Sequence, residues 1–296
     1  MRLACIDIGS NTTRLLVADS DGEHLQWVHQ EREFTRIGRE LLDGPVIGAA
    51  KIAEVVTVVL AQLASARAHG AGRVWGVATA AIRSAENGGE LVEAIRAASG
   101  LPVQVLSEQE EARLAFVGVA RTLDVAWAGE LGVVDIGGGS SELVVGTIAG
   151  GVRWWASVPL GSGALFYSCL HSDPPGAGEL AAARGQVSAA LAAVVPPRPG
   201  VGAAVAVGGS ATSLSRLAGR LLDSVALGRA LSALAAEPAS EIARRFAIDV
   251  DRARLLAAGL LILEGVSALF GVPLQVGRGG IREGVLLEAA LTSPGC

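Results

Sequence analysis

Two segments of the chain carry the same pattern of chemically useful residues. The first reads LACIDIGSNTTRLLVAD over residues 3–19, and the second reads LGVVDIGGGSSELVVGT over residues 131–147. Each is an apolar run ending in an aspartate, Asp7 or Asp135, followed by small and hydroxyl-bearing residues and a second apolar run. This pattern predicts a β-hairpin whose tight turn exposes backbone N–H groups and hydroxyls, a geometry suited to binding phosphate.

The two turns are the predicted phosphate-binding loops. A hairpin turn alone also favours glycine and asparagine, so either turn taken singly has a purely structural alternative. Recurrence of the pattern favours a ligand, and close approach of a phosphate explains why three successive glycines, with their loss of backbone entropy, are tolerated. The residues predicted to bind substrate in these turns are Ser10, Asn11, Thr12, Gly137, Gly138, Gly139 and Ser140.

Charged residues flank both turns. Asp135 and Glu142 stand on either side of the second turn, so a hairpin brings their carboxylates together. Oxygen ligands of this kind suit a hard cation, and we predict that the pair binds Mg²⁺ or Mn²⁺ and takes part in catalysis. Arg14 replaces the second carboxylate in the first copy, which predicts a phosphate contact, with an outward-facing strand residue as the alternative.

The repeat predicts two homologous domains around one cleft, and a length of 296 residues fits this organisation. We place the domains at residues 1–122 and 123–296, with the last helix able to pack back on the first. Strand-like and helical patterns alternate, including helices over residues 46–69 and 213–222 and a capping box from Ser107 to Glu110. The predicted fold class is therefore α/β, with mixed sheets flanked by helices.

Composition narrows the class of protein. A formal net charge of −5 argues against a nucleic-acid or membrane surface. The apolar stretch at residues 255–263 is too short to span a bilayer and predicts a buried core helix. Three cysteines (Cys5, Cys169 and Cys296) show no CxxC spacing, and the N-terminus lacks a signal-peptide pattern. We therefore expect a cytoplasmic protein; a homodimer is left open.

Five motifs occur in one order in this chain: DIGSNTTRLLV, EEARLAF, VVDIGGGSSELVVG, VAVGGSATSL and RGGIREG. Together they resemble the exopolyphosphatase / guanosine pentaphosphate phosphatase family of the sugar kinase–Hsp70–actin superfamily. The resemblance implies two ribonuclease-H-like (actin-like ATPase) domains with the active site in the cleft between them. It also implies Mg²⁺-dependent hydrolysis of a terminal phosphoanhydride, in the short two-domain form of the family.

The resemblance assigns roles to further residues. Glu111, the second acid of the EEA motif, matches the catalytic glutamate, although acids at a helix start also stabilise the helix dipole. Arg83 matches an arginine that reaches the phosphates, with an ion pair to Glu86 as the alternative. A third glycine turn precedes a helix, where anions bind, and is predicted to contact substrate through Gly208, Gly209 and Ser210.

Three functions follow from these residues. The leading hypothesis is an exopolyphosphatase that releases orthophosphate from inorganic polyphosphate, and the second is hydrolysis of guanosine pentaphosphate. The third, of another class, is a nucleotide-binding actin-like or kinase-like protein that does not hydrolyse polyphosphate. One position departs from the family pattern, because Ala164 stands where an arginine is expected.

Overall fold

The chain forms two compact units. A computed structural model describes residues 1–123, 127–197 and 200–292. Unit 1 comprises residues 1–122 and the segment that begins at residue 279, whereas unit 2 comprises residues 123–278. The sequence predicts a second domain of residues 123–296, with the last helix able to pack back on the first. In the structure that helix belongs to unit 1.

Unit 1 is built on a five-stranded mixed sheet in the order β3-β2-β1-β4-β5. The strands β1, β2 and β3 are antiparallel neighbours, while β4 and β5 run parallel to β1. The strands are β1 (Arg2–Ile8), β2 (Thr13–Ser20), β3 (Leu25–Glu33), β4 (Arg73–Ala78) and β5 (Val103–Val105). The helices up to this unit's boundary are α1 (Ile37–Glu40), α2 (Ala49–Ala68), α3 (Ala80–Ser84), α4 (Gly88–Ser99) and α5 (Glu108–Ala120).

Unit 2 repeats this arrangement in a six-stranded sheet of order β10-β11-β9-β6-β7-β8, in which β10 is an additional antiparallel edge strand. The two mixed sheets flanked by helices confirm the predicted fold class. The strands are β6 (Leu131–Ile136), β7 (Ser141–Thr147), β8 (Gly151–Val158), β9 (Ala203–Val207), β10 (Leu221–Leu222) and β11 (Leu274–Val276). The helices are α6 (Ser162–Cys169), α7 (Ala177–Leu191), α8 (Gly208–Ala218), α9 (Ser224–Ala236), α10 (Ala239–Phe246) and α11 (Val250–Phe270).

The last helix, α12 (Ile281–Thr292), returns to unit 1 and packs on α5, β1 and β2. Alternation along β1 places Ala4 and Ile6 in one core cluster and Leu3 and Cys5 in another, which contains apolar side chains of α12. Because side chains on a strand alternate between faces, Asp7 lies on the sheet face that α12 covers. The segment that the sequence marked as RGGIREG therefore ends beside the first hairpin.

Glycines allow α12 to approach α5 unusually closely. A Cβ atom added at Gly284 would lie 2.2 Å from the Leu114 carbonyl oxygen, and one at Gly118 would lie 2.1 Å from the Gly280 oxygen. Both distances are too short for a real side chain, so these positions require glycine. The glycine contacts fix the start of α12 against the helix that carries Glu111.

Local predictions succeeded where a short pattern decides the structure. The capping box between Ser107 and Glu110 is present, and α2 is followed by Gly70 with a φ of 79°. The helix predicted at residues 213–222 was wrong in its bounds, because α8 begins at Gly208 and residues 221–222 pair with β11. Gly208 has a φ of 87° and turns the chain directly from β9 into α8.

The apolar run at residues 255–263 forms the buried centre of α11, as predicted. By length and composition alone α2 and α11 are long and apolar enough to cross a membrane. In α11 this composition is that of a core helix, since its central residues contribute to the main cluster of unit 2. Cys5 and Cys169 are free and buried, and Cys296 lies outside the described residues.

Candidate active site

The turn at residues 9–12 is closed by a hydrogen bond from the Gly9 N–H to the Thr12 carbonyl at 3.0 Å. Its other carbonyls are bound from the start of α1, because Gly38 N–H donates to Ser10 O at 2.7 Å and Arg36 N–H donates to Asn11 O at 3.0 Å. Across the described chain, the backbone N–H groups of Ser10 and Asn11 donate to no protein acceptor. The turn is therefore anchored through its acceptors, while the N–H groups of Ser10 and Asn11 stay open.

Asn11 adds a side-chain donor to this turn. Its Nδ2 atom is buried and has no hydrogen-bond partner among the residues that the structure describes. A buried donor left unpaired destabilises a protein by roughly 1–3 kcal/mol, which is tolerated most readily where a ligand completes the bond. This observation favours the predicted substrate-binding role of Asn11 over a purely structural turn.

The turn at residues 137–140 is anchored in the same way by α6. Gly137 N–H donates to Ser140 O at 3.0 Å, Ser162 N–H donates to Gly137 O at 3.0 Å, and Ala164 N–H donates to Gly138 O at 2.9 Å. The residue at which the chain departs from the family pattern thus supports the turn through its backbone. The N–H groups of Gly138 and Gly139 have no acceptor within the described ranges.

The glycines of this second turn are not required by its backbone conformation. Residues 137–139 are absent from the set of described residues with positive φ, so an L-residue could adopt the same angles. The close contact is with the neighbouring loop at Gly161. A Cβ atom on Gly161 would lie 2.4 Å from the carbonyl carbon of Gly138, so that loop packs directly against the turn. Without Cβ atoms the turn also leaves its free N–H groups open to a phosphate.

The two carboxylates predicted to bind metal face each other in unit 2. Asp135 and Glu142 are direct partners in the β6–β7 register. Glu142 is 2% exposed, and its Oε1 atom accepts a hydrogen bond from Ser157 Oγ at 3.1 Å. A Cβ atom added at Gly208 would lie 2.6 Å from Asp135 Oδ1, so the start of α8 touches this carboxylate.

The third glycine segment is split between two environments. Gly208 lies beside Asp135, whereas Ser210 is 1% exposed and its Oγ has no hydrogen-bond partner in the described part of the chain. A Cβ atom on Gly259 of α11 would lie 2.7 Å from that Oγ, so Ser210 faces the core. Contact between Ser210 and a substrate stays a prediction, as does that of Gly209.

In unit 1 the structure brings Glu111 and Arg83 together. Glu111 lies in the first turn of α5 and is 2% exposed, and Arg83 Nη1 donates hydrogen bonds to its Oε1 and to the Leu106 carbonyl. Arg83 also lies 3.7 Å from a carboxylate oxygen of Glu108. The ion pair with Glu86 that was the structural alternative is not among those of the described residues. Two predicted site residues from different elements thus form one ion pair, in which Glu111 is buried and Arg83 is partly exposed.

Asp7 and Arg14 are direct partners in the β1–β2 register, in the places that correspond to Asp135 and Glu142. Asp7 is partly exposed, yet its Oδ1 atom is buried and lacks a hydrogen-bond partner among the described residues. Burial raises the pKa of Asp7 above its usual range, and the negative charge of Glu283 raises it further. The positive charges of Arg14 and Arg282 lower this pKa but do not cancel the effect of burial. The first turn therefore begins at a carboxyl group whose pKa lies above that of a solvated aspartate.

The predicted metal site offers the carboxylate oxygens of Asp135 and Glu142. Among the described residues no group of three or more His, Cys, Asp or Glu side chains could by itself hold a metal. Mg²⁺ is commonly held by only one or two carboxylates together with substrate phosphates and water. Asp135 and Glu142 fit that requirement in chemistry and in register.

The Ppx/GppA phosphatase family model matches residues 16–293. The chain belongs to this family. Exopolyphosphatase 1 of Mycobacterium tuberculosis is 29% identical over 305 residues, covering 97% of this chain and 88% of that protein. Exopolyphosphatase 2 of the same organism is 35% identical over 229 residues, covering 73% and 70% of the two chains.

A solved structure extends the likeness to the fold. The crystal structure of the Aquifex aeolicus member of the Ppx/GppA family matches with a TM-score of 0.81 and 30% identity, over 100% of this chain and 99% of that one. The predicted actin-like fold and family are confirmed. As a Ppx/GppA phosphatase, the chain is a hydrolase of phosphoanhydride bonds.

The structure adds residues that sequence patterns missed. Ser157 and Gly161 lie outside the repeated segments, and the only signal for Gly161 was its place in the GSGA stretch after β8. Arg282 and Glu283 belong to the RGGIREG motif, which the sequence noted but to which it gave no chemical role. Their placement beside Asp7 could not be inferred from a local pattern, because the contact is long-range.

Proposed function

We propose that this Ppx/GppA phosphatase is an exopolyphosphatase, which hydrolyses the terminal phosphoanhydride of inorganic polyphosphate and releases orthophosphate. The observation that carries the proposal is the pair of turns at residues 9–12 and 137–140. In each turn the protein binds carbonyl groups, while two successive N–H groups have no acceptor in the described chain. A chain of phosphates offers repeated acceptors to such donors. Two curated relatives named exopolyphosphatase support the same substrate class.

Glu111 is the proposed general base. In hydrolysis a water oxygen forms a bond to the terminal phosphorus while the bridging P–O bond breaks, and the water proton passes to Glu111. The leaving phosphate oxygen departs with the shortened chain. Arg83 holds the Glu111 carboxylate in one orientation, which meets the main demand of phosphoryl transfer, that groups be positioned before reaction.

Asp135 and Glu142 would hold Mg²⁺ or Mn²⁺. A divalent cation bound there would supply positive charge to the phosphate oxygens. The contribution of the protein is to orient both carboxylates, and Ser157 fixes Glu142 by its hydrogen bond. The start of α8 at Gly208 limits the positions that Asp135 can adopt.

The proposal is tested by a comparison of substrates with one inactive reference. Purified protein with Mg²⁺ is offered short polyphosphate, long polyphosphate, guanosine pentaphosphate and ATP, and orthophosphate release is measured for the wild type and for Glu111→Gln. We expect polyphosphate to give the highest kcat/KM and Glu111→Gln to abolish most of that release. Preference for guanosine pentaphosphate would replace the proposed substrate, and release unaffected by Glu111→Gln would refute the proposed mechanism.

A further inference from the structure

Four charged side chains meet beside the first turn in unit 1. Asp7 and Arg14 come from the β1–β2 hairpin, and Arg282 and Glu283 come from the first turn of α12. In β1, Leu3 and Cys5 pack with α12, so Asp7, two residues further on, lies on the same face of the sheet. In β2, Leu16 and Ala18 pack with α12, so Arg14 lies on that face as well.

Contacts with β2 tie the α12 residues to this place. Arg282 Nη1 donates a hydrogen bond to the Leu15 carbonyl at 3.0 Å, next to Arg14 in β2. Glu283 is 3% exposed, although its side chain is a carboxylate. Carboxylates are almost never buried to this extent unless cations compensate them. Arg282 and Arg14 are the cations that this face provides.

One oxygen of Asp7 has no partner within this group. The Oδ1 atom is buried and accepts no hydrogen bond from the described chain, although the charges of Arg14 and Arg282 both act on the carboxyl group. The arrangement keeps one oxygen of Asp7 unpartnered at the base of the turn.

We propose that Arg282 and Glu283 are positioning residues of the active site, which hold Asp7 in place and keep its Oδ1 atom free of a protein partner. Only the predicted effect on kcat rests on the proposed function; the predicted effect on the titration of Asp7 does not. The glycine contacts of α12 with α5 join the same residues to the helix of Glu111. Because α12 packs on both the β1–β2 hairpin and α5, it positions the turn at residues 9–12 as well as the helix of the proposed base.

The test compares Glu283→Gln with Glu288→Gln, a change on the same helix at a partly exposed residue paired with Arg113. Titration of the Asp7 carboxyl is followed by ¹³C NMR without substrate, with Arg14, Arg282, Glu283 and the Cys5 thiol as the neighbouring titratable or charged groups. Removing the negative charge of Glu283 should move the Asp7 midpoint to lower pH by about one unit. Glu288→Gln should leave it unchanged.

Kinetics provide the second measurement. Glu283→Gln should lower kcat by at least about tenfold, as misplacement of a site group does, with KM changed less than about twofold. Glu283→Asp, which keeps the charge, should restore part of kcat. If Glu283→Gln fails to fold, Glu283→Asp and Arg282→Lys are titrated and assayed in its place.

Two outcomes would overturn the positioning role: an Asp7 midpoint that does not move in Glu283→Gln, or a kinetic loss equal to that of Glu288→Gln. A wild-type protein without polyphosphatase activity would instead refute the proposed function. The NMR titration would then still decide whether Glu283 controls Asp7, because it needs no substrate.

Discussion

Glu110 and Glu111 are adjacent acids with separate tasks. Glu110 is partly exposed at the helix start and completes the capping box with Ser107, whereas Glu111 is buried against Arg83. The dipole role that the sequence left open for acids at this helix start is met by the capping residue. The buried neighbour is thereby available for chemistry.

Replacing Glu111 with Gln should lower kcat by on the order of 10²–10⁴, the range for losing a general base, with KM and thermal stability nearly unchanged. Gln keeps the shape of the side chain and a hydrogen-bond acceptor for Arg83. Steady-state orthophosphate release measures the effect. Glu110→Gln is the matched control, because Gln preserves a capping box and should retain activity. Equal losses in the two variants would contradict the assignment.

Asp7→Asn should separate stability from activity. Because burial raises the pKa of Asp7 above 3.8, the folded chain holds this proton more tightly than the unfolded chain does. The protonated Asp7 side chain therefore contributes to the free energy of unfolding at low pH. This contribution is lost as the pH rises from about 3.8 through the raised pKa of Asp7. The Asn variant avoids that loss.

The melting temperature of Asp7→Asn relative to wild type should therefore increase between pH 4 and pH 7, by on the order of 2 °C, while kcat falls. Melting curves across this pH range measure the difference. Asp21→Asn provides a comparison at an exposed carboxylate whose pKa is lowered to about 2 by backbone N–H groups, and its destabilisation should grow with pH. A difference for Asp7→Asn that is flat with pH would contradict the prediction.

Glu142→Gln should raise the Mg²⁺ concentration needed for half-maximal activity by at least about tenfold, since a charged ligand becomes neutral. Orthophosphate release over a range of Mg²⁺ concentrations measures the shift. Ser157→Ala should give a smaller shift, because it removes only the hydrogen bond that orients Glu142. Glu264→Gln, at an exposed ion pair with Arg184, should give none. Activity that persists in excess chelator would contradict a metal site.

At the scale of elements, the sequence was informative where a pattern is local. The repeated hairpins predicted β1, β2, β6 and β7 with their cross-strand partners, and Ser107 with Glu110 marked the start of α5. Gly208 misled the prediction, because glycine disfavours helices yet here supplies the positive φ that opens α8. The low helix propensity of glycine therefore did not exclude Gly208 from α8, because the turn between β9 and α8 requires a positive φ at this position.

Contacts between distant segments could not be predicted in this way. The motif RGGIREG by itself gives no indication of a packing partner, whereas the structure shows that Gly280 and Gly284 lie against α5. Nothing near residue 284 in the sequence identifies Leu114 as its neighbour. The same limit concealed Glu283, whose role depends on which strand its helix covers.

Gly284→Ala should lower the free energy of unfolding by about 1–3 kcal/mol, because a methyl group would overlap the Leu114 carbonyl and separate α12 from α5. Activity should fall as well, since α5 carries Glu111. Denaturant unfolding and orthophosphate release measure the two effects. Gly185→Ala in α7 is the control: its Cβ meets no atom within 4 Å, and it should raise stability by up to about 1 kcal/mol. A neutral Gly284→Ala would show that the helices adjust.

At the scale of the whole molecule, the residues proposed to act in hydrolysis come from two copies of one fold. Unit 1 carries Glu111, Arg83 and Asp7, and unit 2 carries Asp135 and Glu142. Each unit has its own hydrophobic core and its own anchored turn. The two hairpins differ at one register position, where Arg14 in the first corresponds to Glu142 in the second. The two turns proposed to bind phosphate therefore have different charged neighbours.

Amide exchange tests whether one substrate uses both turns. The N–H groups of Ser10, Asn11, Gly138 and Gly139 have no acceptor in the described chain and should exchange rapidly in the free protein. With Glu111→Gln, Mg²⁺ and long polyphosphate, all four should become protected, because phosphate oxygens then accept their hydrogen bonds. Residue-resolved NMR exchange measures this, with sulfate at equal ionic strength as the control for screening. Protection confined to one turn would mean that the other is structural, and the proposed division of the site between the units would be wrong.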